Sequence, residues 1–380
     1  MGWWRDRWRE WRPILALYAL SRIGLLLVGW IAGARLTTQL PARPWPEVES
    51  SLGRIWTRWD AQWYLHIAHY GYAGHSFAFF PLYPLLIRIL TPLSGGQGYL
   101  AGILVSNLAF LVALFYLRRL AAERLGPAGA MRALAYLVLF PTAFFFSAVY
   151  TESVFLAASV LCFYAARQRR FWLAGLWGAA AAGTRDLGLL LALPLAWEYL
   201  AAREWRWRRI RWDFLSAGLV GVGLAAYMLY QYLLTGNPLR FMLAERYWNR
   251  HLSPPWVGLV RAVHDFLYLP YSAPPHVYGV LDAAAAVLFV YLLFLGIQRR
   301  WGGSYLVYWG ASLLVPLLYP TSHGFSPLLS MTRFVAVIFP AFFVLAEAGE
   351  RPGVDQGVRI LFPLLQGLFF AMFVAWVWVA

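Results

Sequence analysis

Lysine is absent from this 380-residue chain: all 32 basic residues are arginine. Acidic residues are few as well. There are 17 of them, which leaves a net charge of +15. Only 13% of the residues are charged and 61% are hydrophobic, too apolar a balance for an ordinary soluble domain. Cysteine occurs once, at Cys162 in an apolar run, so no internal disulfide can form. There is no GxxxxGK[ST] loop, no GxGxxG after a strand and no DxD pair. No dinucleotide-binding, P-loop or metal–nucleotide-sugar site is therefore visible. A fixed-period repeat is missing too, which argues against a solenoid or an array.

What the chain has instead is apolar runs of nearly bilayer length. A helix needs about 20 apolar residues to span the hydrocarbon core. The reading is an all-α polytopic membrane protein, residues 1–380 forming a single integral-membrane domain. Expected spans lie at 13–34, 98–117, 133–149, 151–166, 171–183, 187–200, 214–234, 277–297, 303–319, 332–347 and 360–379, roughly eleven in all. A basic balance suggests nucleic acid or an anionic membrane surface as partner. The arginines cluster in short loops between apolar runs, so the lipid bilayer is the expected partner and nucleic acid is not.

The arginines also orient the chain. Arg5, Arg7, Arg9 and Arg12 precede the first span. Arg118, Arg119, Arg124 and Arg132 follow the second, and Arg167, Arg169 and Arg170 the fourth. Arg203, Arg206, Arg208, Arg209 and Arg211, then Arg299 and Arg300, then Arg351 and Arg359 fill the remaining loops of one side. The positive-inside rule puts that side and the N-terminus in the cytoplasm. The two long loops, 35–97 and 235–276, then lie outside.

The first of these loops contains WTRWDAQWYLHIAHYGYAGHSFAFFPLYP, residues 56–84. A helix over 56–70 would gather Trp56, Asp60, Trp63, Tyr64 and Ile67 on one face. Arg58, Gln62, His66 and His69 would take the other. Asp60 is then an acid on an aromatic face, partly desolvated. That suits a general base, which takes a proton only as a reaction proceeds. An equally simple reading makes Asp60 the N-cap of a helix beginning at Ala61. His66 and His69 have the spacing of a metal pair, but no third ligand follows at a suitable distance, and no metal is expected. His75, Phe79, Phe80 and Tyr83 belong either to a substrate groove or to an interfacial belt.

Other polar residues stand at apolar edges. Arg22 interrupts the first span, where an ionisable group is costly and marks function or a buried partner. Glu152 and Asp186 open helical runs, where the dipole favours acids. Arg185 lacks that excuse and calls for an acidic partner or a bound anion. Arg333 sits at a similar edge, with His323 nearby. Guanidinium groups bind phosphate bidentately, so Arg185, Arg333 and Arg22 are expected to contact an anionic lipid headgroup.

These stretches resemble the PIG-V mannosyltransferases. In that family a WDxxxxxxIAxxGY segment is followed by FAFFPxxP, and residues 59–84 carry both. SRIGLL around Arg22, YTESVF around Glu152, AAGTRDLGLL around Arg185 and MTRFVAVIFP around Arg333 follow the same order. The resemblance implies a GT-C type fold and transfer of mannose from a polyprenyl-phosphate carrier, such as dolichyl-phosphate mannose, on the extracytoplasmic side. It implies an inverting, metal-independent reaction without a cofactor, at the outer face of the cell membrane if the chain is prokaryotic. The motif aspartate falls on Asp60, the expected general base. Trp59, Trp63, Tyr64 and Glu152 are expected to contact substrate, together with His75, Phe79, Phe80 and Tyr83. A glycan, a glycolipid or a protein fits as acceptor. The rival reading is a transporter or flippase of a polyprenyl-linked sugar, although paired halves with broken helices in equivalent places are not evident.

Overall fold

The structure, a computed structural model, describes residues 2–36, 51–270, 274–322 and 326–379. Residues 37–50 of the expected outer loop and His323 lie outside the described residues. The described chain is helical, with one isolated bridge between Arg250 and Thr321 and no strand. In order the helices are α1 (Gly2–Arg35), α2 (Ser51–Arg54), α3 (Ala61–Tyr70), α4 (Leu82–Leu90), α5 (Gly98–Leu139) and α6 (Glu152–Arg167). Next come α7 (Phe171–Ala182), α8 (Ala192–Ala201), α9 (Leu215–Leu219), α10 (Val222–Thr235), α11 (Arg240–Glu245) and α12 (Val257–Tyr268). The last five are α13 (Pro274–Gln298), α14 (Gly303–Leu318), α15 (Met331–Ala336), α16 (Pro340–Ala348) and α17 (Pro352–Val374).

Among the described residues, four helical stretches are long and apolar enough to cross a membrane: Glu10–Arg35, Gly98–Leu139, Val277–Gln298 and Pro352–Val374. A fifth is added if Trp212–Leu219 and Val222–Thr235, bent by 54°, count as one. The rest are shorter or broken, so length and composition do not establish the expected count of roughly eleven. The expected span at 133–149 is the clearest departure. α5 runs on from 98, breaks locally at Gly126 (φ 66°) before Pro127, and stops at Leu139. Phe140 then takes φ −55° and ψ 141°. Pro141 is the reason, because a proline disfavours helical geometry in the residue before it. Residues 140–151 are instead a buried run of turns around one 3-10 turn, Ala143–Phe146. Gln366 satisfies the carbonyls left at this helix end, donating to Val138 O at 2.9 Å and Phe140 O at 3.0 Å. The expected span at 332–347 is likewise two helices, α15 and α16, parted before Pro340.

The chain divides into two compact units. The first holds residues 1–69, 85–157 and 342–379, and the second 70–84 and 158–341. In the first, α1, α5 and α17 pack on one another. Aromatic pairs such as Trp56–Phe370 and Phe110–Phe146 fill the space between them. In the second, α7 packs against α8, α9 and α10 and against the 3-10 turn Asp186–Leu191, while α13 packs against α12, α14 and α15.

Glycine sets how closely α7 and α10 approach. A Cβ on Gly223 would collide with the carbonyl oxygen of Ala179 and the amide nitrogen of Gly183. These are backbone atoms and cannot swing aside. Gly223→Val is therefore expected to destabilise the protein by at least about 1–3 kcal/mol, read as a lowered thermal midpoint in detergent. An unchanged midpoint would show that the two helices can separate freely.

Candidate active site

In the first unit the helix expected over 56–70 starts only at Ala61. Trp56 lies before it, and Asp60 occupies the N-cap position. The Asp60 carbonyl accepts the amides of Trp63 (3.0 Å) and Tyr64 (3.3 Å). Tyr64, Ile67 and Ala68 are buried on α3 and His69 is exposed, while Trp63, Gln62 and His66 are all half-buried, so the two expected faces separate only in part. Trp59, directly before Asp60, has φ 55°. A tryptophan in the left-handed region costs about 1–2 kcal/mol and persists only where the surroundings hold it. Its ring lies edge-on to Trp376 and Trp378, at 5.5 and 5.1 Å between centroids.

The segment 147–151 supports this turn. The Val149 amide donates to Trp56 O at 3.0 Å. The Tyr150 hydroxyl accepts the Asp60 amide at 3.1 Å and donates to Arg58 O at 3.1 Å. The Tyr64 hydroxyl lies 3.4 Å from Thr151 Oγ1. Glu152, next along, is fully buried. Arg58 places its guanidinium 4.9 Å from the Trp376 ring. Burial, and then neighbouring Arg54, push that guanidinium down to about 10, so it keeps its charge at neutral pH.

Arg22 is buried in the same unit. Its Nη1 donates to Ser147 Oγ at 2.7 Å. Ser147 donates to Asn107 Oδ1 at 2.7 Å, and the Tyr18 hydroxyl reaches the same oxygen at 2.6 Å. Arg22 thus braces the turn that leads to Tyr150.

The second unit gathers arginines. The guanidinium carbons of Arg185, Arg250 and Arg333 lie 5.5, 5.3 and 5.5 Å from the centroid of one ring, Phe334. Arg333 is only 7% exposed. Arg250 is half-buried, and burial lowers its pKa, as does Arg333; Glu245, Asp186 and Asp282 oppose the shift. Three guanidinium groups thus meet at one ring. Asp282 fixes the turn below them. Its Oδ1 accepts the amide and hydroxyl of Thr332 at 2.9 and 3.0 Å, and its Oδ2 accepts the hydroxyl of Ser326 at 3.1 Å. Ser330 within that turn has φ 70°.

Sequence reasoning grouped Arg185, Arg333 and Arg22 on one headgroup; Arg185 and Arg333 both lie against Phe334, whereas Arg22 belongs to the first unit and bonds Ser147. That reasoning missed Arg250, for which the sequence holds no evident signal. It also missed Asp282, whose signal was plain: an acid within an apolar span.

FAFFPLYP belongs to the second unit. Its backbone is held by phenols: Tyr72 donates to Phe79 O at 2.9 Å, and Tyr227 donates to Phe77 O at 2.7 Å. The Leu82 amide donates to Gly183 O at 3.0 Å, just before Thr184 and Arg185. Phe79 meets Trp248, Phe80 meets Tyr227 and Phe241, and His75 lies tilted against Tyr247. Tyr83 is fully buried. No group of three or more His, Cys, Asp or Glu able to hold a metal occurs among the described residues.

Known proteins share much of this chain. Residues 45–203 match the profile of the family described as mannosyltransferase (PIG-V). GPI alpha-1,6-mannosyltransferase 2 of Rattus norvegicus is 37% identical over 155 residues, covering 38% of this chain and 31% of that protein. Its Homo sapiens counterpart is 32% identical over 154 residues, with the same coverage. The chain thus matches about a third of the length of these relatives. The crystal structure of ArnT from Cupriavidus metallidurans bound to undecaprenyl phosphate superposes with a TM-score of 0.53 at 16% identity, over 94% of this chain and 69% of that one. At that identity the likeness speaks for the fold alone. Residues 45–203 thus match the PIG-V mannosyltransferase profile, on a multi-pass membrane fold similar to that of ArnT.

Proposed function

We propose that this protein is a glycosyltransferase moving mannose from a polyprenyl-phosphate-mannose donor to an acceptor hydroxyl on the extracytoplasmic side of the membrane. The observation that carries the reading is the placement of Asp60. It is the motif acid of the family-matched region, and it follows a strained residue at a turn held by hydrogen bonds from another segment. Strain of this kind concentrates at functional sites.

The reaction balances without a cofactor. The acceptor oxygen attacks the anomeric carbon with inversion, and its proton passes to the Asp60 carboxylate. The bond from that carbon to the phosphate oxygen breaks, with its electron pair leaving on the phosphate. Arg333, Arg185 and Arg250 neutralise the charge that develops there, so no metal and no general acid is required. Arg22 is assigned to bracing Ser147 and Asn107. Phe79, Phe80 and Trp63 are assigned to substrate contact. The acceptor is a glycolipid, glycan or protein, and the arginine bias supports a cytoplasmic N-terminus.

The purified protein, given undecaprenyl-phosphate mannose and octyl α-mannoside, is expected to release undecaprenyl phosphate together with a disaccharide product of inverted anomeric configuration. Movement of the intact donor across proteoliposomes, with no free undecaprenyl phosphate formed, would replace the transferase reading with a flippase.

A further inference from the structure

We propose that Tyr150 is a positioning residue for Asp60, holding the turn that aims its carboxylate; this rests on the reading of Asp60 as the base. Tyr150 is only 1% exposed, and its hydroxyl makes two hydrogen bonds, both to backbone groups of the motif. One accepts from the Asp60 amide and the other donates to the Arg58 carbonyl. The two groups flank Trp59, the residue held at φ 55°. A single oxygen thus pins both sides of the strained residue, immediately before the acid.

The pin is itself anchored. The Val149 amide reaches Trp56 O at 3.0 Å, and Ser106 Oγ donates to Ala148 O at 2.8 Å. The segment carrying Tyr150 is therefore fastened to α5 on one side and to the motif on the other. The Tyr150 ring packs against Phe145 at 4.8 Å and against Tyr64 and Phe373 at 6.3 and 6.1 Å between centroids.

Ring and hydroxyl consequently have separable tasks. The ring fills the core, and phenylalanine would fill it equally well. The hydroxyl bonds backbone groups on either side of Trp59, and these bonds hold the turn. Without it, the Asp60 amide and the Arg58 carbonyl lose this shared partner, and nothing at that oxygen opposes relaxation of Trp59. A shift of about 1 Å in a reacting group costs on the order of 10²-fold in rate.

Tyr150→Phe in the full chain, assayed with undecaprenyl-phosphate mannose and octyl α-mannoside, is expected to lower kcat by roughly 10–100-fold and to leave both KM values within about twofold. The thermal midpoint falls by no more than a few degrees. Hydrogen exchange in a peptide covering 57–62 quickens, while exchange in α6 does not. Because the residue acts through Asp60, D60N/Y150F is expected to be no slower than D60N alone. Three outcomes overturn the proposal. Wild-type kcat in Y150F beside an inactive D60N removes the positioning role and leaves the base in place. An equal fold-loss on adding Y150F to D60N makes the hydroxyl merely structural. Near-normal transfer by D60N removes the base, and Tyr150's task with it.

Discussion

Asp60→Asn is expected to slow mannose transfer by about 10²–10⁴-fold, the contribution typical of a positioned general base. The substitution separates the two roles that the sequence left open for this residue. Asparagine caps a helix as well as aspartate does, and Asp60 occupies the N-cap position of α3. If capping were its whole task, D60N would keep both its thermal midpoint and its activity. If it is the base, the midpoint holds and turnover collapses, because an amide cannot take the acceptor's proton. Asp60→Ala would lose cap and base together and could not tell them apart. Turnover of D60N within about tenfold of the parent would remove Asp60 from the chemistry, since even a weak general base contributes about 10²-fold.

Arg333→Ala is expected to produce the next largest effect, a fall on the order of 10²-fold in kcat/KM for the donor, as when one preorganised donor to a developing anion is deleted. Arg333 is buried beside Phe334, and Arg185 and Arg250 place their guanidiniums on the same ring. Arg250→Ala should act in the same direction, although nothing in the sequence marked it. Arg333→Lys keeps the charge but loses the planar fork that matches a phosphate, and it should recover only part of the loss. Arg261 serves as the control. It donates to Thr321 O within the same unit and places no guanidinium on the Phe334 ring, so its loss should leave donor KM unchanged. Changes of less than about threefold for both R333A and R250A would mean that the phosphate is bound elsewhere.

Much of the fold is legible in the amino-acid sequence. Long apolar runs could only be membrane helices, because backbone groups in lipid must bond within their own segment. α6, α7, α13 and α14 lie within a few residues of their expected places. Other elements differ from expectation where a run of apolar residues hides a break. Residues 133–149 are apolar but for Thr142 and Ser147, and hydropathy alone cannot see that Pro141 ends α5 and turns the chain. The same holds before Pro340, and at the 54° bend between α9 and α10. The helix that carries the motif begins five residues later than its periodicity implies. Periodicity continues through 56–60, but Trp59 takes a left-handed φ that no helix allows.

Local chemistry singled out an acid and left cap and base open; the family resemblance put the base first. Asp60 stands out in the chain because it is a charge among aromatics. Composition alone likewise determined the membrane nature of the protein and the basic character of the groups available to meet a phosphate. Partnership was decided only by the tertiary structure. Arg250 joins Arg185 and Arg333, Asp282 holds the turn beneath them, and Tyr150 reaches across 90 positions of chain to the Asp60 amide. Such pairings depend on how helices pack and where chain turns bring distant backbone together. Hydropathy and helical period report only on neighbours within a few turns, so they carry no record of them.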